Sequence, residues 1–426
     1  MTVSNTARSA QMDPESQGRR SSFSALRYRD FRLLWFGQFV SLTGSQMQLA
    51  AINWHIYVLT RSKLALGAVG LVRVLPIILC SLIGGVVADV VDRKKLIFGS
   101  QTIMLLSATA LAAFTASGLK SIWPIYLVTA ITSAAIAFDN PARQALLPAL
   151  VPARHFPNAV SLGIVIFHVS MIGGPAFAGL VLSAYGPALV YALNAVSFLA
   201  VICAVLLIRA SGRAHHADDT VAPRVSLTAL REGLSFVRRT PIIVQTMTLD
   251  FVATFFASAT VLLPVFAADI LHVGARGFGA LGASPAVGAV ITGLVMARLG
   301  TIRRQGATII VSIAVFGAAT IAFGYSRVFW VSMLMLAVVG AADTVSTVLR
   351  QTIRQLVTPN YLRGRMTSVN MIFFMGGPQL GELEAGALAA LIGAPLAVAT
   401  GGIGCLVAVL LAMVWSKSLL RYESEN

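Results

Sequence analysis

The feature that most constrains this chain is an apolar run of about 20 residues that recurs, with short polar breaks, along most of its length. Coiled at a rise of 1.5 Å per residue, such a run crosses the roughly 30 Å hydrocarbon layer of a bilayer. No water reaches that layer, so each backbone N–H and C=O must be bonded within the segment, which selects helices. The chain therefore reads as an all-α membrane protein. Composition agrees, with 57% hydrophobic and 11% charged residues, against roughly 45–50% apolar and about 25% charged in soluble domains.

Twelve transmembrane helices are expected, over 33–58, 66–88, 96–117, 122–138, 159–183, 187–208, 241–267, 277–299, 307–325, 328–348, 366–393 and 395–416. Most Lys and Arg fall in the connectors on one side, together with both termini, and the positive-inside rule makes that side cytoplasmic. The net charge of +16 belongs to this asymmetry and gives no reason to expect nucleic acid as a partner. Residues 1–32 are polar, lack the apolar core of a secretory signal, and read as a cytoplasmic N-terminal segment.

Cys80, Cys203 and Cys405 sit singly inside apolar runs, so neither a disulfide nor a metal site is expected. There is no GxxxxGK phosphate loop and no nucleophile with a recognisable partner motif, so the chain reads as neither an enzyme nor a cofactor protein.

Segment 209–240 interrupts the pattern with a soluble-like composition, and its "SLTALREGLSFVRR" has the helical spacing of a surface-lying amphipathic helix. It divides a six-helix bundle at 33–208 from another at 241–418, with a cytoplasmic tail at 419–426. The halves echo each other. Gly173-Gly174-Pro175 recurs as Gly376-Gly377-Pro378, Asp139 as Asp343, and "DRKK" as "TIRR". An even number of crossings separates the copies, which gives a parallel repeat about a pseudo-two-fold axis along the membrane normal.

"GGVVADVVDRKK" ends the second expected span, and the positive-inside rule accounts for Arg93, Lys94 and Lys95 but not for Asp89. An acid at a helix end is costly to bury without a partner. Arg143, or the N-terminus of the eleventh helix near "LRGRMTS", are the candidate partners; the second would tie the two bundles together in a cytoplasmic latch.

The spacing Gly85, Asp89, Arg93, Lys94 in this connector resembles the Gly-x-x-x-Asp-x-x-x-Arg-Arg/Lys motif of the major facilitator superfamily. The stretches "LRYRDFRLLWFGQFVSLTGSQM" and "NYLRGRMTSVN" are similar to a bacterial efflux branch that includes the enterobactin exporter. The resemblance runs from about Leu26 to Leu420 and implies a bacterial cytoplasmic-membrane transporter whose motif gates the outward-facing state. The chain departs from the pattern at Ala297 and Thr301, where the second-half copy lacks the Asp and Arg, and at Gly174-Pro175-Ala176-Phe177-Ala178-Gly179, one glycine short of the antiporter motif. The arginine of the drug-exporter motif is absent from the fourth span.

Ionisable groups deep in a span cost roughly 2.5–3.5 kcal/mol on insertion scales and usually face a cavity. Asp250, Glu382 and Glu384 are the proton-coupling candidates, with Arg73 as a neutralising partner or a snorkelling side chain. A structural role as hydrogen-bond acceptor competes for Asp250. Asn53, His55, His168, Gln245 and Asn370 are candidate substrate-cavity groups, and Gly174, Pro175, Gly377 and Pro378 candidate helix kinks. The expected function is a monomeric secondary transporter that exports a small amphipathic molecule, siderophore-like or drug-like, against proton entry. An importer, a non-transporting sensor or scaffold, and a channel remain open alternatives.

Overall fold

The computed structural model describes the backbone of residues 23–212, 234–256, 258–299, 302–359 and 362–415. Within these the long elements are all helices: α1 (Arg29–Thr60), α2 (Lys63–Val90), α3 (Arg93–Ala116), α4 (Trp123–Leu146), α5 (Phe156–Tyr185), α6 (Pro187–Leu207), α7 (Pro241–Phe256), α8 (Gly274–Leu299), α9 (Gln305–Tyr325), α10 (Phe329–Val357), α11 (Arg363–Ile392) and α12 (Ala394–Trp415). Nine segments among the described residues, on α2, α3, α5 to α10 and α12, are long and apolar enough to cross a membrane. The other three helices carry polar side chains along their length, among them Gln46, Gln48 and Asn53 on α1, Asp139 and Arg143 on α4, and Glu382 and Glu384 on α11. Most of 209–240, including the larger part of the expected amphipathic helix, and the expected tail lie outside the described residues; the helical end of that segment covers 234–239.

The helix boundaries follow from local chemistry. Ser62 caps α2 by accepting from the Ala65 N–H, and Asp92 caps α3 by accepting from the N–H groups of Lys94 and Lys95. Gly186 and Gly393 turn the chain before α6 and α12 with φ of 76° and 90°, a conformation that suits glycine. Leu391, Trp123, Tyr185 and Trp330 are among the most exposed side chains, as expected where the solvent is lipid and apolar surface need not be hidden.

Three helices depart from the expected spans. The fourth was expected to end at 138, yet α4 continues to Leu146, because Asp139 pairs with Arg143 one turn on and accepts from Ser100 and Gln101 of α3. The tenth was expected to end at 348, whereas α10 runs to Val357 and carries Arg350 and Arg354 inside the protein. The seventh was expected to be one continuous run. It is α-helical to Phe256, and from Ser258 the pitch differs, as a 3-10 segment (Ser258–Leu262), a short α turn (Leu263–Val265) and a π turn (Phe266–Ile270).

Helices α1 to α6 pack mainly among themselves, as α1 on α5 and α6, α3 on α4 and α6, and α2 on α4. Helices α7 to α12 do likewise, with α8 on α10, α9 on α10 and α12, and α7 on α11 and α12. The groups meet along α2 with α11 and α5 with α8. The largest apolar core draws on both groups, from Ile52, Ile56 and Tyr57 to Phe266, Phe278, Ala385 and Ala389. All of these lie toward the end of the molecule that holds the α1–α2 turn. At the opposite end, among the described residues, each group has its own core, one around Leu34, Ile97, Leu146 and Leu162 and another around Ile309, Ile313, Leu349 and Ile353.

Candidate functional site

The most concentrated charge lies where α7, α10 and α11 converge. Asp250 of α7 is buried, with 3% of its surface exposed, and Arg350 of α10 is the largest fully buried side chain, at 1%. Their ion pair spans 2.8 Å. Arg354, one turn further along α10, reaches the other Asp250 oxygen at 3.4 Å and donates to Asn370 Oδ1 of α11 at 2.5 Å. Arg350 also donates to Thr347 Oγ1 at 3.0 Å and stands 3.9 Å from Asp343. Buried charges persist only when paired and hydrogen-bonded, and here one carboxylate balances two guanidiniums with a second carboxylate close by.

Sequence reasoning found Asp250 and Asn370 but missed Arg350 and Arg354, which it left in a connector. A signal existed: Asp343, Arg350 and Arg354 are spaced i, i+7, i+11, one face of a continued helix.

A second set of contacts joins the two groups of helices near the α1–α2 turn. Arg73 of α2 meets Glu382 of α11 at 3.5 Å, both largely covered. Tyr57 of α1 donates a short hydrogen bond to Asp269 beyond α7, and Arg61 binds the same carboxylate at 3.0 Å. Trp54 of α1 stacks on Phe278 of α8 with centroids 5.4 Å apart. Glycines allow the backbones to approach: a Cβ on Gly67 would stand 2.9 Å from the Cα of Gly386, and one on Gly179 would stand 2.7 Å from the Cα of Gly279. Apolar packing, stacking and ion pairs thus close this end together.

At the end that holds the start of α1, the described contacts stay within one group. Arg93 donates to the Ala145 carbonyl of α4 at 2.9 Å, Lys94 to the Ile208 carbonyl at 2.6 Å, and Arg143 pairs with Asp139 on its own helix. The packing of Gly85 and the side chain of Asp89 lie outside the described residues.

The remaining candidates disperse. His55 is buried, with Nδ1 3.2 Å from the Tyr191 hydroxyl of α6. Asn53 Oδ1 is buried with no protein partner. His168 is half-buried and edge-on to Phe167, while Gln245 and Glu384 are half-buried on α7 and α11. Gly174 abuts Gln46 of α1, Gly377 abuts Thr254 of α7, Pro175 lies against Gly282 of α8, and the Pro378 carbonyl accepts from Ser258 at 2.9 Å. Among the described residues no group of three or more His, Cys, Asp or Glu side chains stands where it could hold a metal.

The transmembrane secretion effector family matches residues 20–425. The chain belongs to this family, within the major facilitator superfamily. Like its relatives, the chain is a transporter and not an enzyme. It is 26% identical over 373 residues to the multidrug efflux pump Tap of Mycolicibacterium fortuitum, covering 84% of this chain and 88% of that protein. It is 24% identical over 400 residues to the enterobactin exporter EntS of Citrobacter koseri, covering 92% and 93%.

Among solved structures the chain resembles a POT family transporter in complex with a thioalcohol-conjugated peptide, with a TM-score of 0.72 at 12% identity, covering 92% of this chain and 96% of that one. A bacterial homologue of the human lysosomal transporter Spinster, in an inward-facing and unoccupied conformation, gives 0.70 at 14% identity, covering 92% and 96%. At these identities the likeness shows the fold alone.

Proposed function

We propose that this protein is a proton-driven exporter of a small amphipathic molecule, siderophore-like or drug-like, which works by alternating access between two six-helix bundles at 33–208 and 241–418. It sits in the bacterial cytoplasmic membrane with both termini in the cytoplasm. The observation that carries this reading is the one-sided closure: the shared core, the Arg73–Glu382 pair and the Tyr57–Asp269–Arg61 contacts lie near the α1–α2 turn, while among the described residues the cores at the other end are separate. A two-bundle machine whose described inter-bundle contacts gather at one end is one state of a rocking cycle. The recurring Gly-Gly-Pro segments and the positive-φ glycines before α6 and α12 support the repeat.

Direction draws on the names of the relatives, an efflux pump and an exporter. The motif residues Gly85, Asp89, Arg93 and Lys94, with Arg143, form the cytoplasmic gate. Gly174-Pro175 and Gly377-Pro378 serve as bending points of α5 and α11.

The test is accumulation of dyes, antibiotics and catechol siderophores in an efflux-deficient bacterium that expresses the chain, with and without a proton uncoupler. Uncoupler-sensitive depletion of a compound supports the reading. Raised accumulation would reverse the direction, and depletion that survives the uncoupler would remove the proton.

A further inference from the structure

Four charged side chains meet in the second half, and they differ in what a proton would do to them. Asp250 is dry and held by Arg350 at 2.8 Å and Arg354 at 3.4 Å. Neutralising it would strip the counter-charge from two buried guanidiniums, which is a strongly destabilising change. Asp343 is placed otherwise. It stands at the midpoint of α10 (Phe329–Val357), yet 48% of its side-chain surface is exposed. Carboxylates at such depth almost always face the bundle interior or a water-filled cavity. Its nearest cation, Arg350, is 3.9 Å away, beyond hydrogen-bond range, and between them stands Thr347, whose hydroxyl accepts from Arg350 at 3.0 Å and lies 3.4 Å from Asp343.

The other charges around Asp343 are few. Arg350 and Arg354 share its helix, and α7 brings Asp250. Of the other helices packed on α10, α9 carries no charged residue along its length, and α8 carries only Arg276 and Arg298, at its two ends. The face of α8 against α10 is backbone-close and small, with Gly288 at Ala337 and Pro285 at Gly340.

We infer that Asp343 is the residue that binds and releases the coupling proton, with Arg350 as the group that senses its charge. With Asp343 ionised, Arg350 is shared between Asp343 on its own helix and Asp250 on α7. A proton taken from water by the Asp343 carboxylate ends that sharing, and Arg350 is left to Asp250 alone. Asp250 in turn is tied through Arg354 to Asn370 of α11, and α11 packs against α2 of the other half. The proton thereby acts on the seam along which the halves move, while the buried Asp250–Arg350 pair stays intact. Glu382 belongs to the closure contacts and Asp250 to the framework; both are positioning residues. This assignment rests on the proton-driven reading above.

The experiment is a pH titration of the purified full-length protein in lipid bilayers by infrared difference spectroscopy, which reads the protonated-carboxyl stretch directly and needs no substrate. Asp343→Asn is expected to remove one component of the band that grows as pH falls, and Glu382→Gln to retain it. A parallel arm measures uncoupler-sensitive ethidium efflux from cells, which is expected to fall to the empty-vector level in Asp343→Asn at equal expression. An unchanged infrared band in Asp343→Asn, beside uncoupler-sensitive wild-type efflux, would overturn the assignment alone. Wild-type ethidium efflux that ignores the uncoupler would overturn the proton-driven reading itself and the coupling role with it. Thr347→Val, which removes the intervening hydroxyl without changing charge, should shift the pH at which the band appears, and a merely structural Asp343 would show no such shift.

Discussion

Arg73 of α2 and Glu382 of α11 form an ion pair of 3.5 Å across the seam between the two halves of the molecule. Both side chains are largely but not wholly covered, at 25% and 17% exposure, so the pair ranks between a surface pair of about 0–1 kcal/mol and a fully buried one whose disruption costs about 3–5 kcal/mol. A double-mutant cycle of Arg73→Gln and Glu382→Gln is expected to give a coupling of about 1–2 kcal/mol in thermal unfolding of the detergent-solubilised protein. Additive effects would show that the pair contributes nothing to closure.

Asp250 and Arg350 should behave as framework. Asp250→Asn leaves two buried guanidiniums short of a counter-charge, and a loss of about 3–5 kcal/mol is expected, read as a large fall in melting temperature and expression. Replacing Arg354 with Lys keeps the charge but loses the planar guanidinium whose Nη1 reaches both Asp250 and Asn370, so it should destabilise less than Asp250→Asn but measurably. A fully stable Asp250→Asn protein would contradict the pairing described here.

Tyr57→Phe removes one hydrogen bond, to Asp269, and leaves the ring in the shared core. The net worth of such a bond is about 1 kcal/mol, so the closed end should open about fivefold more often. Labelling of a cysteine introduced near the α1–α2 turn would report it, and an unchanged labelling rate would count against Tyr57 as a closing residue.

Gly179→Leu should wedge the halves apart, because the side chain would point into the backbone of α8 at Gly279 and Ala275. Relief by small shifts is difficult where the neighbour is backbone rather than a flexible side chain. The expected result is a protein that inserts and folds but is biased toward the state opened at that end, with transport lost. Spin-label distances across the α1–α2 and α7–α8 turns provide the check.

Asp89→Asn tests the proposed cytoplasmic gate. Normal membrane insertion with loss of efflux is expected; wild-type flux in this variant would remove Asp89 from the gate.

The sequence by itself determined the all-helical, membrane-embedded character of the chain, because helix formation in lipid is dictated by backbone satisfaction and apolar length, both of which are local properties. Resemblance at Gly85, Asp89, Arg93 and Lys94 also led to the superfamily that the family match establishes. Deep acids were legible one at a time, since a charge in an apolar run is visible without knowing its neighbours. Their partners were decided only by tertiary structure. Arg350 and Arg354 looked like connector cations until α10 continued past them to meet Asp250, a hundred or more positions earlier in the chain. Tyr57 and Asp269 carried no signal at all, being ordinary residues near helix ends until packing brought them together. The change of pitch beyond α7 was hidden for the same reason: an apolar run does not record where its neighbours let the helix tighten or widen. Hydropathy is a property of the chain in one dimension, whereas an ion pair depends on which helix faces which, and that is decided by packing across the whole bundle.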